Sequence, residues 1–558
     1  MKKIQTDWYK DAVIYQIYPR SFKDSNDDGF GDIPGIISKL DYLKELGVNC
    51  VWLSPVYPSP QEDNGYDISD YYNIYEKFGT LDDFKLMLNE MHKRGIRLIM
   101  DLVVNHTSSQ HAYFQDLLKD PENSKYRDYY IVRKGKKNGK KPPNNWSGFF
   151  GEKAWEKLPN SDSYYLHLFA KGQPDLNWEN PKVREEVKNI LRYWFDMGVD
   201  GFRCDVITLI SKKQDFKNRF PGIALVGKDA YINGPRLHEF LHELNKDVIS
   251  KYDVMTVGET VLSSVEDAKL LVAPSREELT MIFNFDNTDT DNYLGVKYFE
   301  RKFDLRRLKK VYRRWQKALH NNGWNSLFIE NHDQRRSVGR FGTDENEEYR
   351  ELSAKCLASA YFLMQGTPFI YQGQEIGMTN FHFTKPEQIQ DVEFYNIYNV
   401  TKKNKFIKFL IGNHLFENSR DNARTPMQWD NSEYAGFSNA SPWLAVNPNK
   451  ERINASNSLE RDDSLFHYYQ KLIKFRVGNE IIKNGEFKDL LPHHKYLFIY
   501  EMNYNDKKVV VLTNFSHKEI KHKLIANYND SSKMKISNYD EHNLDSLKPY
   551  EARIYEYN

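Results

Sequence analysis

Residues 182–206 read KVREEVKNILRYWFDMGVDGFRCDV. The first part, Lys182–Met197, is amphipathic at helical spacing, and Asp200–Val206 is a short apolar run that carries an acidic residue near its end. A helix feeding such a strand is one half-turn of a βα repeat, and the same alternation extends in both directions. Candidate strands precede it at Ala12–Tyr18, Cys50–Ser54 and Arg97–Val103, and follow it at Met255–Glu259, Leu279–Phe285, Ser326–Ile329 and Thr367–Tyr371. Pro34–Leu46, Leu81–Arg94 and Asp304–His320 read as further helices. Eight strands with intervening helices predict an α/β fold, a (β/α)8 TIM barrel.

Two intervals break the pattern. Between Asn105 and Trp178 the chain is polar and irregular, with a basic run RKGKKNGKK (Arg133–Lys141) that reads as a solvated surface hairpin. An insertion after the third strand belongs on the catalytic face, where the βα loops gather. From about Glu480 short alternating strands replace the helices. The expected division is a barrel over 1–104 and 175–479, an inserted subdomain over 105–174, and a C-terminal antiparallel β-sandwich domain over 480–558.

The chain has 558 residues, with 79 Lys and Arg against 78 Asp and Glu. That balance gives no electrostatic reason to expect nucleic acid or an anionic membrane as partner. No run approaches the roughly 20 apolar residues of a bilayer span, and MKKIQTDWYKDAV has no secretory pattern. Cys50, Cys204 and Cys356 are far apart and odd in number, which argues against a disulfide framework or a zinc site. A cytoplasmic monomer without organic cofactor is the expectation. The aromatic share of 14% suits a sugar-binding surface as well as a core.

Barrel enzymes place their chemistry at the C-terminal ends of strands. Here those ends carry Asp101, Asn105 and His106 on the third, Arg203 and Asp205 on the fourth, Glu259 on the fifth, and Glu330, His332 and Asp333 on the seventh. One such residue alone is commonly a solvated turn; four ends together are not. Converging carboxylates serve metal binding or glycosidic cleavage, in which one carboxylic acid protonates the leaving oxygen and another carboxylate attacks or activates water. The two histidines come from different strands, which suits hydrogen bonds to sugar hydroxyls better than a metal cluster.

The motifs AVIYQIYPRSFKDSNDDGFGD, DNGYDISDY, DLVVNHTS, QPDLNWENP, DGFRCDVI, TVGET, IENHDQ and ARTPMQW occur in this order. Through them the chain resembles the α-amylase family of glycoside hydrolases over essentially its whole length, and within it the oligo-1,6-glucosidase group. The resemblance implies Asp205 as nucleophile, Glu259 as general acid/base and Asp333 as stabiliser of the transition state. It implies that Arg203 keeps Asp205 ionised, that His106 and His332 contact the glucose at the cleaved bond, and that Tyr66 stacks on its ring. Asp63 and Arg424 would grip its non-reducing end, closing the pocket beyond one glucose. Phe150, Phe169 and Gln173 match pocket-lining positions. A structural Ca2+ would sit on Asp24, Asn26, Asp28, the Phe30 carbonyl and Asp32, where oxygen ligands alternate as a hard cation requires. The alternative there is an Asx-rich turn without metal.

Val206 after the nucleophile accompanies α-1,6 preference in this group, and a β-branched apolar side chain offers the acceptor sugar no hydroxyl. A small oligosaccharide such as isomaltose is therefore the expected substrate. Three departures surround the expected acceptor position. Arg335 and Arg336 are adjacent, a feature that would suit a phosphorylated sugar as in trehalose-6-phosphate hydrolase; VLSS follows TVGET; and the sixth strand ends FNFDN. Sucrose isomerases carry an Arg-rich loop after the seventh strand, which Arg340 alone matches poorly.

Overall fold

The computed structural model describes residues 6–222, 225–293, 296–412 and 414–557. Eight parallel strands form the central sheet: Ile14–Ile17, Cys50–Leu53, Arg97–Leu102, Gly201–Cys204, Met255–Glu259, Met281–Phe283, Ser326–Leu327 and Thr367–Tyr371. Each pairs with its neighbour in sequence, the eighth pairs with the first, and a parallel bridge from Ile282 to Asn325 joins the sixth to the seventh. The barrel is thereby closed.

Strand periodicity sorts the side chains. Ile14, Cys50, Trp52, Ile99, Met255, Val257, Met281 and Phe283 fill the barrel interior. Their neighbours Tyr15, Ile17, Val51, Leu53, Leu98 and Met100 face outward and pack under the helices. Both faces are buried, so the strands read as continuous apolar runs. The helix Pro181–Met197 starts at Asn180, whose side chain accepts the Lys182 N–H, and stops at Gly198 with φ 109°. That left-handed turn suits glycine and drops the chain into the fourth strand.

The long helix expected over Pro34–Leu46 is two helices, Ile33–Ile37 and Leu40–Leu46. Ser38 Oγ donates to the Gly35 carbonyl at 2.6 Å, a local bond that competes with helix propagation. The seventh strand is Ser326–Leu327, shorter than the expected Ser326–Ile329. Beyond Leu327 the chain turns toward the residues of the site.

Within the inserted stretch, Val132–Lys134, Ser163–Leu166 and Trp155–Lys157 make a three-stranded antiparallel sheet. The basic run leaves that sheet and doubles back, with Lys136 bridged to Lys141 and Lys136, Lys137, Lys140 and Lys141 exposed. Near the C-terminus, Glu486–Asp489, Leu497–Tyr504, Lys507–Asn514, Ala552–Tyr557 and Met534–Ser537 form an antiparallel sheet in that order. One face, with Phe498, Tyr500 and Val511, joins the core around the barrel; the other packs over Ile525 and Leu547.

Candidate active site

The C-terminal ends of the strands open into a cavity of about 320 Å³, the low end of the range for small-molecule sites. Asp63, Tyr66, His106, Phe150, Phe169, Gln173, Asp205, Val206, Glu259 and Asp333 all line it, as expected from the sequence. Its inner end, at Asp63 and Gln173, is buried, whereas Leu262 at the other end is 58% exposed. The cavity is a pocket with its floor inside the barrel mouth. Arg203, His332 and Arg424 lie behind its wall.

Arg203 ties the acids together. Its Nη1 donates to Asp205 Oδ1 and its Nη2 to Glu259 Oε2, both at 2.6 Å, while Nη1 also meets Asp101. Burial pushes Asp205 up to about 6, opposed by the Arg203 charge and by a hydrogen bond from Glu259. Glu259 rises further, to about 8, because burial acts on it first and Asp205 and Asp333 repel its charge. Near neutral pH the pair therefore holds one carboxylate and one carboxylic acid. The Glu259 Oε2 also accepts the Val206 N–H at 3.1 Å. Two donors on Oε2 leave Oε1 as the oxygen to carry the proton.

Val206 reaches that bond from the left-handed region, at φ 35° and ψ 40°. A β-branched residue pays in strain for such a conformation, and strain of this kind clusters at functional sites. Asp333 sits opposite. Burial alone would raise its pKa, but the guanidinium charges of Arg420 and Arg424 beside it hold the carboxyl below the ordinary range. Burial drives His332 down to about 3, so its ring is neutral. Its Nδ1 lies 2.8 Å from the Gln16 Nε2, a donor, which leaves the proton on Nε2, 3.2 Å from Asp333. Tyr66 stacks on this ring at 5.2 Å. His106 is buried, with Nε2 3.0 Å from the Tyr66 carbonyl and 3.1 Å from Gln173 Nε2.

One expectation is corrected. The guanidinium that meets Asp63 is that of Arg420, at 3.0 Å, and not that of Arg424. Arg424 lies deeper, its Nε donating to the His332 carbonyl at 2.9 Å and its Nη2 to Asp333 at 2.7 Å. Gln173 donates to Asp63 at 3.2 Å and completes the inner wall.

The three departures do converge. Val261, Leu262, Phe285 and Gln334 line the outer part of the pocket with Asp289, Lys297 and Glu393. The paired arginines, however, are not available to a ligand. Arg335 donates to Asp291 and is paired with Glu300, both at 3.0 Å, and Arg336 is fully buried against Glu330 and the Gln372 carbonyl. Arg340 is bound to Asp291 as well. Lys297 lines the pocket and meets Glu393 at 3.1 Å. Phe149, Asp289, Lys297, Glu393 and Arg420 line the pocket and were missed by sequence reading. Phe149 adjoins Phe150 and stacks on Phe169 at 5.1 Å, so the doubled ring in SGFFG was a usable signal.

The loop of residues 24–32 lies away from this pocket. Asp24 Oδ1 accepts the N–H groups of Asn26 and Asp27, Asn26 that of Asp28, and Asp28 that of Phe30. These are Asx turns that curl the backbone around Asp24. Burial and the neighbouring Asp24 raise Asp32 above the ordinary carboxylate range. Asp24 and Asp32 are buried, and the loop offers only oxygen atoms, the donor type a hard cation takes.

Residues 16–485 match the family described as alpha amylase, catalytic domain. The chain belongs to the α-amylase family of glycoside hydrolases. Among its relatives, an oligo-1,6-glucosidase of Parageobacillus thermoglucosidasius is 51% identical over 98% of both chains. A trehalose-6-phosphate hydrolase of Bacillus licheniformis superposes with a TM-score of 0.91 at 45% identity, covering 98% of this chain and 99% of that one. An isomaltulose synthase of Klebsiella sp. LX3 superposes with a TM-score of 0.93 at 40% identity over the same shares.

Proposed function

We propose that this enzyme is a retaining, exo-acting α-glucosidase that removes terminal α-1,6-linked glucose from isomaltose and short isomalto-oligosaccharides. The observation that carries the reading is the Arg203 bridge between Asp205 and Glu259, at 2.6 Å to each, inside a pocket closed at one end. Two carboxyls gripped by the two ends of one guanidinium suit the close spacing of a retaining enzyme. Asp205 would attack the anomeric carbon as Glu259 Oε1 passes its proton to the departing oxygen. A covalent glucosyl-enzyme forms, and Glu259, now a base, takes a proton from the water that releases it. Asp333 and His106 would strengthen their bonds to the ring as it flattens toward an oxocarbenium ion; His332, expected to touch the glucose, lies behind the wall and acts on Asp333 instead. Asp63 and Arg420 hold its far edge.

The 1,6 preference is supported by the relative named above and by Val206 at the pocket wall. A phosphorylated acceptor finds little support, because Arg335, Arg336 and Arg340 are each bound to carboxylates. Residues Asp24, Asn26, Asp28, Asp32 and the Phe30 carbonyl would hold Ca2+, which would tie down the loop and take no part in catalysis. Three buried free thiols suit a cytoplasmic enzyme, and among the described residues no helix is long and apolar enough to cross a membrane. We expect a monomer.

The test is a panel of isomaltose, maltose, sucrose, trehalose and trehalose 6-phosphate. Isomaltose should give the highest kcat/KM, with α-glucose as first product by NMR. Fastest turnover of trehalose 6-phosphate, or β-glucose as first product, overturns the reading.

A further inference from the structure

Arg420 presents its guanidinium to the pocket because it is held from behind. Its Nη2 and Nε donate to Asp391 Oδ1 at 2.6 and 2.9 Å, and its backbone N–H donates to Asp391 Oδ2 at 3.2 Å. On the pocket side Nη2 meets Asp63 at 3.0 Å and Nη1 meets Asp333 at 3.5 Å. Glu393 lies 3.4 Å from Nε. One cation is thus shared among four carboxylates, and its orientation depends on which of them grips it most firmly.

Asp391 is that anchor. It is 0% exposed and does not line the pocket, so it touches no substrate. It also cannot follow Arg420 if the arginine moves. Its Oδ1 caps the helix Val392–Lys403 by accepting the Glu393 N–H at 3.0 Å, and its own N–H donates to Asp421 at 3.1 Å. A planar guanidinium bound along one edge to a fixed carboxylate has its remaining donors aimed in fixed directions. Released from that edge, Arg420 would turn toward Asp333 or Asp63 and form a closer pair with one at the expense of the other.

We propose that Asp391 is a positioning residue for the inner end of the pocket, fixing Arg420 between Asp63 and Asp333 so that the glucose-binding grip and the stabilising carboxylate are set by one buried contact. This rests on the α-glucosidase reading given above. The chemistry it serves is recognition of a neutral sugar edge by a paired carboxylate and guanidinium.

The experiment compares four proteins: wild type, Asp391→Asn, Arg420→Lys and the double variant. Asparagine caps a helix as well as aspartate does, so Asp391→Asn removes the charge while keeping the cap. On both isomaltose and p-nitrophenyl α-glucoside it should raise KM and lower kcat/KM by about 10- to 100-fold, the scale of a small misplacement in a binding site. The double variant should be no worse than Arg420→Lys alone, because Asp391 acts only through Arg420. Asp391→Glu, which keeps the charge, should recover part of the loss; it also serves as the second probe if the asparagine variant does not fold. A kcat/KM within twofold of wild type, or losses that multiply in the double variant, overturns the proposal. Should wild type cleave neither sugar, the α-glucosidase reading falls, and glucose affinity by calorimetry across the same proteins judges Asp391 by the same non-additivity.

Discussion

Asp205 and Glu259 share one arginine, yet burial pushes Asp205 up to about 6 and burial with like charge pushes Glu259 up to about 8. The proposed mechanism needs Asp205 unprotonated and Glu259 protonated. The kcat/KM profile should therefore be bell-shaped, falling below about 6 as Asp205 takes a proton and above about 8 as Glu259 loses one. Glu259→Gln should abolish the alkaline limb and spare nitrophenyl glucosides more than isomaltose, since nitrophenolate leaves without a proton. Asp205→Ala should cost at least about 10⁴-fold in kcat with the fold intact by circular dichroism. Val206→Thr should shift the isomaltose-to-maltose ratio of kcat/KM toward maltose; an unchanged ratio would make Val206 a strand-end residue only. The acids were legible in the sequence because strand ends carry chemistry. Arg420 was not, because it lies one helical turn from Arg424 and spacing alone does not say which of the two points inward. The left-handed backbone of Val206 was equally hidden, since valine seldom adopts it.

Elements are specified by their ends as much as by their middles. Thr80 and Asp83 form a reciprocal capping box at the start of the helix Leu81–Lys93. Thr80→Ala should destabilise the protein by about 1 kcal/mol, seen as a lower thermal midpoint, with kcat and KM unchanged. The loop around Asp24 is the second case. If Ca2+ occupies it, EDTA should lower the thermal midpoint of wild type and leave that of Asp24→Ala unmoved. The long helices were legible because their period is unambiguous over ten or more residues, and the barrel strands because both faces are buried and they stand out as short apolar runs. The break at Ser38 was not, because it turns on a single hydroxyl bond.

At the scale of the whole molecule, the barrel and the C-terminal sheet are joined by a buried lysine. Lys309, on the helix Leu305–Leu319, donates to the carbonyls of Leu491, His494 and Leu497. Lys309→Met should leave those acceptors unsatisfied at a cost of about 1–3 kcal/mol, detected as faster proteolysis near residue 490. The order of barrel strands was readable in advance; this contact between distant segments carried no local signal. The blind pocket has its own consequence. On the proposed reading its buried end, at Asp63 and Gln173, takes the glucosyl unit and its exposed end, at Leu262, the other sugar, so traffic runs through one door. The sugar nearest the door must depart first and glucose last. Glucose should accordingly inhibit in competition with substrate, and a second sugar arriving through the vacated door competes with water for the glucosyl group. The shape of the pocket thus makes the order of events obligatory, and makes sugar concentration the variable that divides hydrolysis from transfer.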